Sequence, residues 1–388
     1  MININEIKCC GCHACYSVCP VSCITMQPDN EGFLYPVIDV DRCINCNKCN
    51  EACPELGKLE NIVEPNIYAC YRNDFDKRLE SASGGVFSVI AEYVIQQDGV
   101  VFGAAFDDSW QVNHISVDNV EELIKLKGSK YVQSRIGDTY IDAKEQLELG
   151  KLVLFSGTPC QIQGLKKYLG KEYSNLITID LVCHGVPSPK VWDAYVNETA
   201  KDKELISFKQ RDKSKGIYDA PSVFVFSDGS EIREKYSDSK YIKGFIQNLY
   251  LRPSCYDCSF KGFKRVSDLT IGDFWGLERF KPDFVDQYGI SLLLVHSEKG
   301  NSIFNAIKNE LTSLDCKQNY NMTSAENPCI ISSVSNNDYR ESFFNKLSLG
   351  FNEAVTKYII FESKPSKFKR ALENTKHMLW VIKHKITD

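Results

Sequence analysis

The chain has 388 residues, of which 43% are hydrophobic and 25% charged, a composition typical of a globular protein with two or three domains. Its formal net charge of −5 argues against nucleic acid as a partner. The sequence has seventeen cysteines, no recognisable signal peptide and no apolar run long enough to span a bilayer. These features predict a cytoplasmic protein in the reducing interior of a cell, typically that of an anaerobe.

Two copies of one cysteine pattern occupy the first 54 residues. Each copy has the spacing C-x-x-C-x-x-C-x-x-x-C followed by proline, which is the run of bacterial ferredoxins. Three thiolates of one run bind one 4Fe–4S cluster, and the fourth reaches the other cluster. The predicted ligands are Cys9, Cys12, Cys15 and Cys53 for one cluster, and Cys43, Cys46, Cys49 and Cys19 for the other. Zinc sites and disulfide frameworks fit this spacing poorly.

Residues 1–58 are therefore predicted to form a two-cluster ferredoxin domain, with short strands between the two runs and a linker over 57–65. From residue 66 onward, predicted helices and strands alternate. Helices are expected at 86–98, 138–149, 161–169, from 190 onward and at 241–251. Strands are expected at 100–106, 152–156, 176–182 and 290–296, with a strand and loop over 269–276 and a hairpin at 222–235. This alternation predicts a layered α/β body with a largely parallel sheet.

Residues 331–388 are predicted to form a helical tail. An amphipathic seam with basic residues around it supports this prediction, and its positions are Phe368, Leu372, Thr375, Leu379, Ile382 and Ile386. The helix either packs on its own domain with its lysines in water, or makes peripheral contact with an anionic membrane surface or a partner protein.

A third set of cysteines follows predicted strands, where α/β folds place ligands. Cys160 and Cys183 each lie in such a loop, and Cys255 and Cys258 form a C-x-x-C pair. Four thiolates suit a third 4Fe–4S cluster or zinc, a C-x-x-C pair suits a redox disulfide, and Cys160 with His184 as base suits a nucleophile. The other five cysteines are expected to be small buried hydrophobic residues; they are Cys10, Cys23, Cys70, Cys316 and Cys329.

Two polar segments are candidates for a flavin site. At the start of the helix at 86, glycines and serines form an anion site, for which the candidates are Ser81, Ser83, Gly84 and Gly85. A second segment suits a pyrophosphate or an isoalloxazine edge, with candidates Gly128, Ser129, Lys130, Tyr131, Gln133 and Ser134. The alternatives are an ordinary helix N-cap and an exposed polar loop. The sequence has no G-x-G-x-x-G, so a Rossmann nicotinamide site is not supported.

Six segments occur in an order that resembles the family of coenzyme F420 hydrogenase/dehydrogenase beta subunits, here fused to a two-cluster ferredoxin. They begin at Ser81, Lys127, Gly157, Asp180, Arg252 and Ser267, and the resemblance covers roughly residues 1–310. It implies FAD in the α/β body and a cluster beside it on Cys160, Cys183, Cys255 and Cys258. On this basis residues 66–150 are the flavin-binding part of the body, and 151–330 its second part with the third cysteine set.

The predicted function is that of an iron–sulfur flavoprotein oxidoreductase. Electrons pass between the clusters, FAD and a small organic substrate, in either direction, with ferredoxin or flavodoxin as the partner protein. His184 and Asp273 are the candidates to supply or orient protons. Bacterial relatives with this fusion associate with surface polysaccharide assembly, which the resemblance alone implies. The alternative function is a non-catalytic electron-relay subunit of a larger redox complex.

Overall fold

The computed structural model describes residues 4–61, 63–218 and 220–359. Its amino-terminal part contains one antiparallel hairpin and two short helices, which are α1 (Ala14–Ser17), β1 (Ile24–Pro28), β2 (Leu34–Ile38) and α2 (Lys48–Glu51). Gly11 and His13 in the first cysteine run, and Asn45 and Asn47 in the second, share a left-handed backbone conformation. The sequence repeat is therefore also a repeat of backbone structure, and the predicted short strands between the runs are present.

The remainder of the described chain forms an α/β body with two sheets. Its strands are β3 (Asn66–Arg72), β4 (Val100–Phe106), β5 (Val112–Val117), β6 (Val153–Gly157), β7 (Leu176–Leu181), β8 (Leu205–Lys209), β9 (Ser222–Phe226), β10 (Glu231–Glu234), β11 (Leu269–Asp273), β12 (Ser291–Val295) and β13 (Leu311–Asp315). Its helices are α3 (Phe75–Glu80), α4 (Val86–Gln96), α5 (Thr139–Glu148), α6 (Pro159–Leu169), α7 (Pro189–Ala200), α8 (Lys240–Ile246), α9 (Glu298–Ile307), α10 (Tyr320–Ala325), α11 (Arg340–Lys346) and α12 (Phe351–Thr356).

The larger sheet has eight strands in the order β13-β3-β12-β11-β7-β6-β4-β5. Only its central strands β11, β7, β6 and β4 run parallel, while the strands on both sides pair antiparallel. The expectation of a largely parallel sheet is therefore wrong, and the sheet is mixed. The connection from β4 to β5 explains why the edge strand β5 pairs antiparallel with β4. A loop of five residues is too short for the crossover that a parallel pair needs.

Helices cover both faces of this sheet and bury its side chains. Val89 of α4 and Phe304 of α9 pack on one face, and Tyr140 of α5 and Ile162 of α6 on the other. The three-stranded sheet β10-β9-β8 has a separate aromatic core with α7, α8, α11 and α12. The described part of 331–388 thus packs onto the body, whereas the amphipathic seam from Phe368 to Ile386 lies outside the described residues.

One predicted helix is too long. The pattern over 241–251 predicted a single helix, but α8 ends at Ile246. Asn248 has a φ of 61°, and the Leu249 amide donates to the Gly244 carbonyl at 2.9 Å, which closes the helix end. Strands β3, β5, β8 and β13 and helices α3 and α9 were not predicted.

The ferredoxin part is docked tightly against the body through Arg252, which has no exposed surface. Its guanidinium donates to the carbonyl oxygens of Cys9 at 2.6 Å and Leu34 at 3.0 Å, and to Gln133 Oε1 at 3.1 Å. On the neighbouring helix, a Cβ added to Gly164 would lie 2.9 Å from Cys12 Sγ. The first cysteine run therefore lies directly on the body. No helix among the described residues is long and apolar enough to cross a membrane.

Candidate redox site

The two ferredoxin cysteine sets differ in exposure. Cys9, Cys12, Cys15 and Cys53 are all buried, whereas Cys46 is exposed and Cys19, Cys43 and Cys49 are half-buried. Ile44, next to Cys43, is 60% exposed. The set that contains Cys46 is therefore the outer one, open to a partner, and the set that contains Cys9 is the inner one.

The third cysteine set is brought together by the fold. Cys160 stands in the first turn of α6, Cys183 follows β7, and Cys255 and Cys258 lie in and just after a short turn at Pro253–Asp257. All four line one cavity, together with Cys10, Glu55, Arg252, Lys261 and Arg265. The carboxyl ends of the adjacent strands β6 and β7 explain why Cys160 and Cys183 are close, and this was the basis of their prediction.

Burial keeps these thiols protonated in the absence of a ligand. Burial raises the pKa of Cys183 and of Cys258, and it raises the pKa of Cys255 to about 12. A hydrogen bond with Cys10, followed by burial, raises the pKa of Cys160. A buried thiolate is stable only beside positive charge, and iron supplies that charge.

The donor chemistry of this cavity fits a 4Fe–4S cluster. Four thiols surround one space, as in a cluster whose ligands are all cysteines. Within residues 4–61, 63–218 and 220–359, no three His, Cys, Asp or Glu side chains converge as the ligands of one metal ion would. A cluster does not require such convergence, because each of its thiolates binds a different iron atom.

Cys10 and Cys23 are buried in apolar clusters as expected, and they also line cavities, as does the half-buried Cys329. Cys10 lines the four-cysteine cavity, and Cys23 Sγ lies 3.5 Å from Cys19 Sγ beside the outer set. Cys329 Sγ lies 3.4 Å from His184 Nδ1. Cys70 and Cys316 are buried in apolar clusters, as expected.

A second, larger cavity of about 440 Å³ adjoins the four-cysteine cavity. Residues 183–186 line both, so one loop separates the cysteine set from the large cavity. Its volume lies in the range of small-molecule and cofactor sites. Aromatic side chains that could flank a flat ring line it, namely Phe87, Tyr131, Tyr236, Phe245 and Trp275. This cavity therefore has the volume and the aromatic lining of a small-molecule or cofactor site.

The predicted anion loop contributes only in part to the large cavity. Ser81 and Ser83 line it, but Gly84 and Gly85 do not. The Gly84 amide donates to Ser291 Oγ at 2.9 Å, and a Cβ there would lie 2.4 Å from the Cys70 carbonyl oxygen. The expectation that this amide points at a phosphate is not met. Gly84 instead permits close packing on β3 and β12.

The second predicted segment lies along the cavity, with one exception. Gly128, Ser129, Lys130, Tyr131 and Ser134 line it. Burial lowers the pKa of Lys130 to about 7, and its Nζ donates to the Lys127 carbonyl at 2.9 Å. Gln133 points away, because its amide side chain bonds the Cys10 carbonyl and Arg252. Gln133 therefore belongs to the contact with the ferredoxin part.

Both predicted proton-handling residues line the large cavity. His184 Nε2 lies 2.7 Å from Asn248 Oδ1, and burial lowers the pKa of His184, so the imidazole is neutral near pH 7. Asp273 Oδ2 accepts a hydrogen bond from Arg211 at 2.7 Å, while Asp273 Oδ1 is buried with no partner among the described residues. The sequence suggested His184 as a base for Cys160, whereas its thiol neighbour is Cys329.

Two further cavity residues were missed. Arg211 follows β8 and holds Asp273, and His114 on β5 bonds Ser134 Oγ at 2.7 Å and the Ser156 carbonyl at 2.9 Å. Burial lowers the pKa of His114 to about 4. A lone histidine or arginine carries no local motif, and neither β5 nor β8 was predicted, so the sequence had no signal for them.

Comparisons with known proteins agree with this organisation. Residues 150–317 match the family model for the carboxyl-terminal part of the coenzyme F420 hydrogenase/dehydrogenase beta subunit, and residues 8–56 match the model "4Fe-4S dicluster domain". Residues 150–317 therefore form a domain of this beta-subunit family. The amino-terminal domain of the chain is a dicluster ferredoxin, so the predicted resemblance is confirmed. The protein is therefore an iron–sulfur electron-transfer protein.

Three curated relatives illustrate the match. The chain is 26% identical to the coenzyme F420-dependent sulfite reductase of Methanocaldococcus jannaschii over 79% of its own length and 47% of the relative's. It is 21% identical to one subunit of the F(420)H(2) dehydrogenase of Methanosarcina mazei, over 79% of this chain and 84% of that subunit. Over 16% of the chain it is 38% identical to an uncharacterized ferredoxin of M. jannaschii, of which it covers 82%. The chain thus spans about half of the sulfite reductase and most of the dehydrogenase subunit.

Proposed function

We propose that this protein is an iron–sulfur flavoprotein oxidoreductase, in which single electrons pass between three 4Fe–4S clusters and an FAD in the large cavity. FAD supplies the exchange between one-electron and two-electron chemistry. The observation that carries this proposal is the loop at 183–186, which lines both the four-cysteine cavity and the large cavity.

The order of the sites supports an electron path from the surface to the large cavity. The outer cysteine set is accessible to a partner protein such as ferredoxin or flavodoxin. The inner set follows, and Cys10, the neighbour of Cys9, lines the four-cysteine cavity. The large cavity is the last site on this electron path. There a small organic substrate meets His184 and Asp273, which line the cavity.

The residues around the large cavity have distinct proposed tasks. Lys130 and Ser134 face the polar part of the FAD, and Tyr131 and Trp275 flank its ring. His184, fixed by Asn248, and Asp273, fixed by Arg211, hold protons or orient the substrate. A role in surface polysaccharide assembly stays a prediction from the resemblance, because no described residue points to a sugar.

The rival function is that of an electron-relay subunit with clusters but no flavin. The relative from Methanosarcina mazei is named as a dehydrogenase subunit, which favours this rival. Flavin, iron and sulfide counts on anaerobically purified chain discriminate the two. Three clusters without flavin, even after incubation with FAD, support the relay and reject the flavoprotein.

Ala82 offers a direct test of the flavin site, because it is exposed and lines the large cavity. Ala82→Trp should weaken flavin binding by about fivefold to a hundredfold and so lower the flavin-to-protein ratio, since overpacking costs about 1–3 kcal/mol and 1.4 kcal/mol is tenfold in binding. Iron and sulfide should stay at the wild-type level. Ala82→Ser, which barely changes the volume, is the matched control. Full flavin retention in Ala82→Trp would place the FAD elsewhere.

A further inference from the structure

Three cationic side chains line the four-cysteine cavity, namely Arg252, Lys261 and Arg265. Lys261 Nζ donates to the carbonyl oxygens of Cys183 at 2.6 Å and Cys329 at 3.0 Å. Neither Lys261 nor Arg252 forms an ion pair among the residues that the structure describes; the acceptors of both are uncharged oxygens. Their positive charges are therefore not cancelled locally.

Arg265 adds a donor with no acceptor. Arg265 is only 5% exposed, and its guanidinium nitrogen Nη1 lies 3.5 Å from Asp180 Oδ1. The other guanidinium nitrogen of Arg265, Nη2, is buried without any hydrogen-bond partner in the described part of the chain. A buried guanidinium nitrogen without an acceptor is costly, and a cluster sulfur in the adjoining cavity would satisfy it.

The outer cysteine set has a different electrostatic environment. Lys48 is the one cationic residue among the described residues that line its cavity, and it is exposed. The interaction energy of two charges is inversely proportional to the effective dielectric constant, which is about 80 in water and about 20 near a protein surface. A cation that is shielded from water therefore acts on its neighbour about fourfold more strongly than one in water. The two sites therefore differ both in the number of cations and in the strength of each.

This difference bears on the direction of electron flow. A 4Fe–4S cluster gains one negative charge on reduction, so nearby cations and N–H donors to its sulfurs raise its potential. Burial and the Glu55 carboxyl group, which lines the same cavity, act in the opposite direction. Arg265 pairs with Asp180. Arg252 and Lys261 are therefore the two cavity cations that have no ion pair among the described residues, and they exceed the single opposing carboxyl group of Glu55.

We infer that Lys261 and Arg265 make the third cluster more readily reduced than the outer ferredoxin cluster, so that electrons run from the ferredoxin clusters inward to the large cavity. This inference depends on the third cluster of the proposed function. In each step one reduced cluster loses one electron and the next cluster gains it, with no bond made or broken. The external donor is a low-potential one-electron carrier protein, and two electrons with a proton complete each hydride equivalent.

The test is a redox titration of anaerobic holoprotein followed by electron paramagnetic resonance. The third cluster is identified as the signal that is lost in Cys258→Ser. In wild type its midpoint should be above that of the outer ferredoxin cluster. In Lys261→Gln, its ratio of reduced to oxidised form should fall about tenfold at the wild-type midpoint, which corresponds to about 59 mV for one electron.

Two matched variants separate charge from structure. Lys261→Arg keeps the charge and should keep the wild-type midpoint. Lys264→Gln removes an equal charge three residues away, where Lys264 is exposed and pairs with Glu64, and should leave the midpoint unchanged.

Three outcomes overturn the inference. One is a third cluster with a midpoint below that of the outer ferredoxin cluster, and another is an equal shift in Lys261→Gln and Lys264→Gln. The third is a wild type with iron for only two clusters, which also ends the three-cluster proposal. Iron analysis distinguishes this last case from a failure of charge tuning alone.

Discussion

Replacing Cys258 with serine should remove about one third of the iron and acid-labile sulfide while the ferredoxin signals persist. Cys258 lines the four-cysteine cavity with Cys160, Cys183 and Cys255. A serine hydroxyl is a poor iron ligand, so the predicted set keeps only three of the four thiolates that a 4Fe–4S cluster needs. Iron and sulfide analysis and resonance spectra of the anaerobically purified variant measure the effect.

Cys316→Ser is the matched control for this experiment. Cys316 is a buried cysteine just after β13, and its neighbours belong to a separate apolar cluster. It should keep the full iron content, since it faces none of the three cysteine sets. Wild-type iron in Cys258→Ser would reject the third cluster, and loss of all iron would mean that the variant fails to fold rather than loses one site.

The ferredoxin domain could be predicted from sequence because its ligand spacing is local. The left-handed residues that turn each run, such as His13 and Asn47, lie between the ligands themselves. The third set could be predicted in outline, because Cys160 and Cys183 follow strands that are adjacent in the sheet. Their shared cavity with Cys255 and Cys258, however, depends on tertiary packing.

Side-chain direction was the part that sequence could not supply. Gly84 and Gln133 lie in segments that do border the large cavity, but Gly84 packs on β3 and β12, and Gln133 turns toward Cys10 and Arg252. A motif places a segment near a site, whereas contacts with distant strands decide which of its residues face it. Arg211 and Lys261 were missed for the same reason, since their partners are 62 and 78 residues away along the chain.

The contact between the ferredoxin domain and the body was also beyond the sequence, and it leads to the second large expected effect. Arg252→Met should destabilise the protein by about 2–6 kcal/mol, because the buried carbonyl oxygens of Cys9 and Leu34 each lose a donor at about 1–3 kcal/mol. Methionine also removes the guanidinium that lies 4.3 Å from the centroid of the Tyr35 ring, so a lost cation–π contact adds to the lost hydrogen bonds. Anaerobic chemical unfolding, followed by circular dichroism and by cluster absorbance, measures it.

Arg340→Met is the comparison that makes this experiment specific. Arg340 also ties the ferredoxin domain to the body, through an ion pair with Glu31, but this pair is partly exposed, with side chains 15% and 22% accessible. Partly exposed pairs contribute less, so its destabilisation should be clearly smaller than that of Arg252→Met. In rapid-mixing experiments with a reduced viologen, Arg252→Met should also slow electron arrival at the large cavity, since Arg252 holds Cys9 beside the four-cysteine cavity. Equal stability of the two variants would show that the domains are held together mainly by apolar packing around Cys12 and Gly164 rather than by this buried guanidinium.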